Sequence, residues 1–407
     1  MVAYKDWVDS PTVEGDTSLL KQSLVLIAGW FICQSSLSQS LRELDPISQG
    51  GTRIRSQVAL PRTGSFPPRL AVFFDSGKLV IYGAKRAVAF QDQNVKAFAA
   101  IAEKHLYYEA DSGFTRLDLQ TYSRTRLKLP HKGYSDFVLF DDEGKDLLFA
   151  VSKSDIDVIS LPQCVLLSQV KPDPDWRKHL LLYESKIVVF LNRDNELAGF
   201  DLTQERYAWK LDAGTKSMKV LGITFNSVKN AIFAAVTCKE DHSLYAGTIL
   251  GDLYRIDIKT GSVLRNMKQF RGDANNAGCL TQMYLEDMDR DGRKDIVACS
   301  VDNCIYCLNA SDFSIKWIYD TGNEVQMPIR FFDTTGDGIP EIFVVNDYDL
   351  RLVVLDGASG KPLLEQSLKT ENTAKQCSMT VVDLDGDGSP YVFTLTSPEI
   401  LRAFKYQ

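Results

Sequence analysis

Three acidic segments in the last third of this 407-residue chain have the residue types and the spacing of a calcium-binding loop. The first begins at Asp287 and carries carboxylates at its positions 1, 3, 5 and 9, with a glycine at position 6. Alternate carboxylates can surround one cation, the glycine permits a sharp turn, and the carbonyl group at position 7 supplies a further oxygen. The candidate ligands of this loop are Asp287, Asp289, Asp291, Arg293 through its carbonyl group, and Asp295.

The other two segments keep most of this pattern. The second has a neutral threonine at position 3, and the third has Tyr391 at position 9. None is followed by the bidentate glutamate of a helix–loop–helix calcium site, and each leads into a β-rich stretch, so we interpret all three as loops between strands. The further candidate ligands are Asp333, Thr335, Asp337, Ile339 (carbonyl), Glu341, Asp383, Asp385, Asp387 and Ser389 (carbonyl).

We predict Ca²⁺ as the cofactor of these loops, with the tightest binding at the first, which has the most carboxylates. Four carboxylates packed together without a cation would repel one another. The alternative is a set of acidic turns that need no metal.

A short apolar motif recurs along the whole chain and indicates the elements that position these loops. It consists of an apolar residue, two variable residues, a second apolar residue, and in most copies Asp or Asn at the start of a turn. Successive copies begin 35 to 56 residues apart, too regularly for chance. The nine copies begin at Leu41, Leu79, Phe114, Ile156, Leu197, Leu253, Ile305, Leu352 and Leu401, with those at Leu79 and Leu401 the loosest.

Each copy has a strand-like run before it and another after it, separated by turns rich in Gly, Asp and Asn. No long segment has a helical apolar stripe. These features predict an all-β fold, a single β-propeller of four-stranded blades over residues 1–407, with residues 1–23 as an N-terminal arm and 281–407 as the blades that carry the acidic loops. Nine copies exceed the usual ring, and we expect eight blades, with seven as the alternative. The C-terminal strand near Leu401 should pair with the N-terminal region to close the ring.

Composition limits the function classes. The net charge is −7, which argues against a basic nucleic-acid groove. The four histidines are scattered, so we expect no His-rich metal centre. Eight cysteines are few and lie mostly in apolar runs, as buried thiols do. Cys304 and Cys307 have C-x-x-C spacing, but residues three apart on a strand point to opposite faces, so we interpret them as packed thiols rather than a zinc or redox pair.

The early apolar run Leu24–Cys33 is too short to span a bilayer and follows acidic residues, unlike an export signal. We interpret it as a buried strand and expect no transmembrane segment. The unpaired cysteines favour a cytoplasmic location, with an extracellular or periplasmic one as the alternative.

The acidic loops resemble the FG-GAP/VCBS repeats of integrin α-type propellers over Thr281–Gln407. Two other features resemble the quinoprotein (PQQ-like) repeat: the stretches Gly251–Gly261 and Gly357–Gly360, and the two similar repeat ends Trp209–Gly214 and Trp317–Gly322. The first resemblance implies that the acidic loops bind Ca²⁺ and that the propeller binds other proteins.

Two classes of function follow. The first is a non-catalytic β-propeller scaffold for protein–protein interaction, a subunit of a larger complex, with Ca²⁺ stabilising its loops. The second is an enzyme, either a PQQ-dependent dehydrogenase or a carbohydrate-acting propeller. We favour the scaffold, because the chain has no recognisable catalytic motif and no adjacent cysteine pair of the kind that the quinoproteins carry.

Overall fold

The computed structural model of the chain describes residues 41–407, apart from 49–51, 61, 63–66, 102–103, 143, 153, 173–176, 193–195, 221–222, 269–278, 326–327, 347–349, 369–377 and 398. The arm at residues 1–23 and the strand predicted at Leu24–Cys33 lie outside the described residues. The described residues form β-strands and one 3₁₀ turn, Ala84–Arg86. No helix among them is long and apolar enough to cross a membrane.

The strands form eight four-stranded antiparallel sheets, which are the blades of a β-propeller, and one separate hairpin. The first strand of the described residues, β1 (Leu41–Ile47), belongs to the last blade. Blade 1 comprises β2 (Ile54–Leu60), β3 (Arg69–Phe74), β4 (Leu79–Tyr82) and β5 (Val88–Asp92). Blade 2 comprises β6 (Val95–Ile101), β7 (His105–Ala110), β8 (Gly113–Asp118) and β9 (Arg124–Leu127). Blade 3 comprises β10 (Asp136–Asp142), β11 (Lys145–Val151), β12 (Ile156–Ser160) and β13 (Val165–Val170). Blade 4 comprises β14 (Arg177–Glu184), β15 (Ile187–Leu191), β16 (Leu197–Asp201) and β17 (Arg206–Leu211).

The hairpin, β18 (Thr215–Val220) and β19 (Ile223–Lys229), follows blade 4. Blade 5 comprises β20 (Ile232–Cys238), β21 (Ser243–Thr248), β22 (Leu253–Asp257) and β23 (Val263–Met267). Blade 6 comprises β24 (Leu280–Glu286), β25 (Asp295–Ser300), β26 (Cys304–Asn309) and β27 (Ile315–Asp320). Blade 7 comprises β28 (Arg330–Phe332), β29 (Glu341–Val345), β30 (Arg351–Leu355) and β31 (Pro362–Ser367). Blade 8 comprises β32 (Met379–Val382), β33 (Tyr391–Ser397), β34 (Ile400–Tyr406) and β1.

The repeated apolar motif marks the third strand of every blade, which confirms the prediction of eight blades. Both of the loosest copies, at Leu79 and Leu401, lie in third strands, β4 and β34. The ninth copy, at Leu41, lies instead in β1, the outermost strand of blade 8. The longest interval, from Leu197 to Leu253, contains the hairpin β18–β19. Apart from the copy in β1, each copy of the motif therefore marks one third strand.

The Asp or Asn at the end of the motif fixes the turn between the third and fourth strands. In blade 5, Asp257 Oδ1 accepts hydrogen bonds from the amides of Lys259 and Thr260, at 3.1 and 2.8 Å. In blade 4, Asp201 Oδ1 accepts the amides of Thr203 and Gln204 in the same way. Such Asx turns hold the chain reversal without a longer loop.

The buried apolar side chains of the described residues form eight clusters, one at each junction between neighbouring blades. The cluster between blades 8 and 1 contains Ile54 and Leu70 from blade 1 together with Phe393 and Leu401 from blade 8. A blade thus buries each face against a different neighbour, and the clusters link all eight blades into a closed ring.

The two termini of the described chain meet in blade 8. Strand β1 pairs antiparallel with β34, with Leu41 opposite Tyr406. Outside the backbone ladder, Arg402 Nε donates to Glu43 Oε1 at 2.8 Å. The predicted closure of the ring by the C-terminal strand is confirmed.

Two tryptophans anchor consecutive blades to each other. Trp209 of β17 donates from Nε1 to the carbonyl oxygen of Ile258 in blade 5, at 2.7 Å. Trp317 of β27 donates to the carbonyl oxygen of Gly357 in blade 7, at 3.0 Å. The rings lie against glycines, since a Cβ atom on Gly261 or Gly360 would come within 2.5 Å of them.

Removal of residues 401–407 should leave β1 and β33 with unpaired edges and promote aggregation, because open hydrophobic edges recruit other chains. We expect a lower melting temperature and oligomers by size-exclusion chromatography with light scattering. Removal of Gln407 alone is the control. A truncated chain that stays monomeric with an unchanged melting temperature would contradict the closure.

Substitution Gly360→Ala should destabilise the protein more than Gly214→Ala. Both glycines have positive φ, +67° and +77°, so alanine strains each backbone by about 1 kcal/mol. Only at Gly360 does the new methyl group also collide with a tryptophan ring, whereas nothing lies within 4 Å of the Cβ position at Gly214. Urea denaturation should give the larger loss of unfolding free energy for Gly360→Ala. Equal losses would show that the Trp317 ring moves aside without cost.

Candidate metal centre

The three acidic segments occupy equivalent places in consecutive blades. Each joins the first strand to the second, in blades 6, 7 and 8 respectively. In every loop the aspartate at position 1 accepts the amide N–H of the glycine at position 6. The donor–acceptor distances are 3.0 Å for Gly292 to Asp287, 2.8 Å for Gly338 to Asp333 and 2.8 Å for Gly388 to Asp383.

The aspartate at position 5 also has one role in all three loops. Its Oδ1 accepts the amide N–H of the residue at position 7. These bonds join Arg293 to Asp291 at 2.8 Å, Ile339 to Asp337 at 2.8 Å and Ser389 to Asp387 at 2.9 Å. The position-6 glycines have φ between +80° and +84°, a conformation that other residues rarely adopt. The sequence pattern thus folds into one loop shape three times.

The first loop gathers its carboxylates. Oxygens of Asp287, Asp289 and Asp295 all lie within 4.8 Å of one another, the only such group of three among the described residues. Asp295 is 2% exposed, and Oδ1 of Asp287 is buried without a hydrogen-bond partner. The fourth predicted carboxylate, Asp291, lies outside this group. A divalent cation fits this donor set, because Ca²⁺ is bound by clustered carboxylate oxygens and would satisfy the unpartnered atom.

A lysine of the same blade already neutralises part of this cluster. Lys316 Nζ lies 2.6 Å from Asp289 Oδ2 and 2.7 Å from Asp295 Oδ2. Although burial opposes it, these carboxylates raise the pKa of Lys316 above its usual value. The lysine lowers the pKa of Asp289, whereas burial raises the pKa of Asp295 despite the same ammonium group. An incoming cation would therefore compete with Lys316 for two of the three clustered carboxylates, those of Asp289 and Asp295.

The second loop has no such lysine. No ion pair of the described residues includes Asp333, Asp337 or Glu341. Both the amide and the hydroxyl group of Thr334 donate to Glu341 Oε2, at 2.6 and 2.7 Å. Burial raises the pKa of Glu341, which is 2% exposed. Thr335 Oγ1 lies 3.4 Å from Asp333 Oδ1. The loop offers oxygens to a cation without internal competition, but its three carboxylates are not gathered as in the first loop.

The third loop is satisfied by the protein's own donors. Asp385 Oδ1 accepts the backbone N–H of Lys85 in blade 1, and its Oδ2 accepts the hydroxyl group of Tyr391, both at 2.8 Å. Lys405 Nζ lies 3.3 Å from Asp385 Oδ2 and 3.1 Å from Asp387 Oδ1. Burial opposes ionisation, but these donors lower the pKa of Asp385 below its usual value. The fit to a cation is therefore poorest here, and the loop instead links blade 8 to blade 1.

Sequence reasoning missed the three residues whose N–H groups contact the carboxylates of the first and third loops: Lys316, Lys405 and, through its amide, Lys85. Lys316 lies 21 residues after Asp295, in a fourth strand, and Lys405 lies opposite Tyr391 in a third strand. Lys85 is 300 residues from Asp385. The sequence offered one related feature: Lys316 directly precedes Trp317. That tryptophan indicates packing between blades and says nothing about a charged contact.

The cysteine interpretation agrees with the structure. Cys304 packs in the cluster between blades 5 and 6, whereas Cys299 and Cys307 pack in the cluster between blades 6 and 7. All three are free thiols. Burial raises the pKa of Cys299 and of Cys307 to about 12. Thiols in this state are poor nucleophiles and poor metal ligands.

The second and third acidic loops match a known repeat. Residues 333–394 match the sequence model of the FG-GAP-like repeat family. This part of the propeller carries an FG-GAP-like repeat. The matched segment contains all predicted ligands of those two loops, and the Asp287 loop has the same hydrogen-bond pattern although it lies outside the match.

Solved structures confirm the fold. BamB from Moraxella catarrhalis is 12% identical, with a TM-score of 0.53, covering 90% of this chain and 100% of that one. The computationally designed Ika8 protein is 13% identical, with a TM-score of 0.56, covering 88% of this chain and 98% of that one. The C-terminal WD40 domain of Sif2 is 11% identical, with a TM-score of 0.59, covering 90% and 98%. No curated protein matches the chain significantly in sequence.

Calcium should stabilise the protein chiefly through the Asp287 loop. At about 100-fold excess over the dissociation constant, one occupied site adds about 2.7 kcal/mol to the unfolding free energy. Asp289→Asn should remove more of the calcium-dependent rise in melting temperature than Asp337→Asn, and Asp385→Asn should remove least. Thermal denaturation in calcium and in chelator measures each variant. A melting temperature independent of calcium would reduce all three loops to acidic turns.

Lys316→Gln should convert the first loop from a lysine-neutralised into a calcium-dependent one. In chelator we expect a loss of about 2 kcal/mol, because buried Asp295 loses its charged partner. Saturating calcium should restore most of this loss, and calorimetry should show tighter calcium binding than in the unsubstituted protein. Lys294→Gln, which removes the pair with Glu286 at 3.4 Å, is the control. Unchanged calcium affinity in Lys316→Gln would show that the lysine does not occupy the cation position.

Proposed function

We propose that this propeller is a non-catalytic scaffold that binds other proteins, as a subunit of a larger complex. The observation that carries this proposal is the placement of its exposed apolar side chains. Of the ten large hydrophobic residues exposed in the described part of the chain, eight lie on the outermost strands of four blades. They are Val88, Val165, Leu166, Leu167, Val263, Leu264, Ile315 and Ile318. Grouped exposed apolar residues are typical of interaction surfaces.

The clusters around His131 and His242 lack the contacts of a Ser–His–acid relay. Ser185 Oγ lies 3.0 Å from His242 Nδ1, and the buried Glu184 lies 3.4 Å from the same nitrogen. In a Ser–His–acid triad the serine and the acid contact opposite ring nitrogens, so the acid orients the ring while the other nitrogen takes the proton. The arrangement at His242 lacks that relay.

The second cluster centres on buried Asp157. His131 Nδ1 lies 2.6 Å from Asp157 Oδ2, which also accepts the hydroxyl group of Tyr134, and Gln169 donates to Oδ1. Among the described residues, no serine, threonine or cysteine side chain bonds to the imidazole ring of His131, whose Nδ1 contacts Asp157. With three donors on one carboxylate, this cluster fastens the β9–β10 connection to blade 3.

Calcium would have a structural role in this scaffold. Bound at the Asp287 and Asp333 loops, the ion would hold the turns between first and second strands, where carboxylate repulsion otherwise opposes packing. Asp287, Asp289 and Asp295 would hold it in the first loop, and Asp333, Asp337 and Glu341 in the second. Lys405 would serve the same purpose in the third.

Affinity purification from the native source tests the scaffold. A tagged chain at physiological salt and calcium should recover a defined set of proteins in constant proportion. Recovery of the chain alone under these conditions would contradict the proposal. An absorbance scan of the same preparation separates the two function classes, since a bound quinone would add a near-ultraviolet band that a scaffold lacks.

A further inference from the structure

Strand β13 differs from the other outermost strands. Seven of the eight outermost strands contain a charged residue or a proline, the usual protection of a sheet edge against pairing with another chain. Strand β13, with the sequence VLLSQV, contains neither. The bulge in its pairing with β12 is shared with most other blades and does not distinguish it.

The first half of β13 is exposed and aliphatic. Val165, Leu166 and Leu167 are 53%, 39% and 53% exposed. On its inner side β13 pairs with β12, and no strand of the described residues pairs with its outer side. In an antiparallel edge strand, alternate residues point their N–H and C=O groups away from the sheet. Strand β13 therefore offers both an apolar surface and open backbone hydrogen-bonding groups.

The outermost strands on either side of β13 are basic, although the whole chain has a net charge of −7. The outermost strands of the two neighbouring blades, β9 and β17, contain no acidic residue. They carry Arg124, Arg126, Arg206 and Lys210, all exposed. Arg124 pairs with Asp92 at 2.7 Å, whereas Arg126 and Arg206 form no ion pair with the described residues. An added strand on β13 would point alternate side chains toward β9 and toward β17.

We propose that β13 binds an extended, acidic and aliphatic segment of a partner protein, which adds to blade 3 as a fifth strand. This assignment rests on the proposed scaffold function and names one of its binding surfaces. Main-chain hydrogen bonds to β13 supply affinity, and acidic side chains facing β9 and β17 supply selectivity. A membrane surface fits less well, because lipid leaves the open N–H and C=O groups of the edge without partners.

The direct test uses a fluorescent eight-residue peptide of the repeating order Glu-Glu-Val-Val, which places acidic and aliphatic side chains on both faces of the added strand. Its binding to the full chain is measured by fluorescence anisotropy. We expect saturable binding that weakens at least tenfold in the double variant Val165→Lys/Leu167→Lys. The matched control is Val263→Lys/Leu264→Lys on β23, where the replaced side chains are 42% and 54% exposed. This control should bind as the unsubstituted chain does. Circular dichroism and melting temperature confirm that both variants fold.

Two altered peptides probe the mode of binding. N-methylation of alternate amides, on the peptide edge that faces β13, should abolish binding, because strand addition needs those N–H groups. Lysine in place of each glutamate should also abolish it, and Arg126→Glu with Arg206→Glu should weaken binding of the acidic peptide at least tenfold. Equal binding of the methylated peptide, or no effect of Val165→Lys/Leu167→Lys, would overturn the proposal.

Other occupants give distinct results. Binding to phosphatidylserine vesicles but not to the peptide would assign the surface to lipid. A dimer of the unsubstituted chain that Val165→Lys/Leu167→Lys dissociates would assign it to a second copy. Either result overturns the proposal. If partner proteins copurify equally with the unsubstituted chain and this variant, the scaffold function stands and the β13 assignment fails; if nothing copurifies with either, the scaffold function itself fails.

Discussion

The structure depends on burial between blades rather than within them. Each four-stranded sheet is one layer thick, so its two apolar faces are buried only if a neighbouring blade covers each of them. The eight clusters meet this condition around the ring, and the pairing of β1 with β34 completes the last blade. Because the first and last described strands share one sheet, separating them would expose the cluster that contains Leu70, Phe393 and Leu401. Closure is thus a condition for the stability of every other junction.

The acidic loops illustrate how the same local shape acquires different chemistry from its surroundings. The bonds from position 6 to position 1, and from position 7 to position 5, are the same in all three loops. The differences come from other strands: Lys316 reaches the first loop from β27, and Lys405 reaches the third from β34. Carboxylates that lie close together repel one another, and in the first and third loops a lysine on another strand of the same blade offsets this repulsion.

The sequence was sufficient for features that depend on residues close together in the chain. Most third strands are buried on both faces, and five of the eight end in an Asx turn, so their pattern repeats clearly and predicts eight blades. The copy at Leu41 raised the number of motif copies to nine, because β1 has the same apolar spacing without being a third strand. The hairpin β18–β19 has a strand pattern like any other, and only its pairing separates it from the blades. The lysines of the loops were missed because they come from strands whose distance in space is set by the ring.

Stability and binding are separable in this architecture. The second and third strands of each blade carry most of the buried side chains, whereas the outermost strands carry most of the exposed apolar ones. A substitution on an outer strand therefore changes the surface offered to other molecules with little effect on the junction clusters. Full closure removes the edges between the first and last blades, but among the described residues no further strand pairs with the eight outermost strands. Seven of them carry a charge or a proline, so β13 is the edge at which the fold leaves a strand open to pairing.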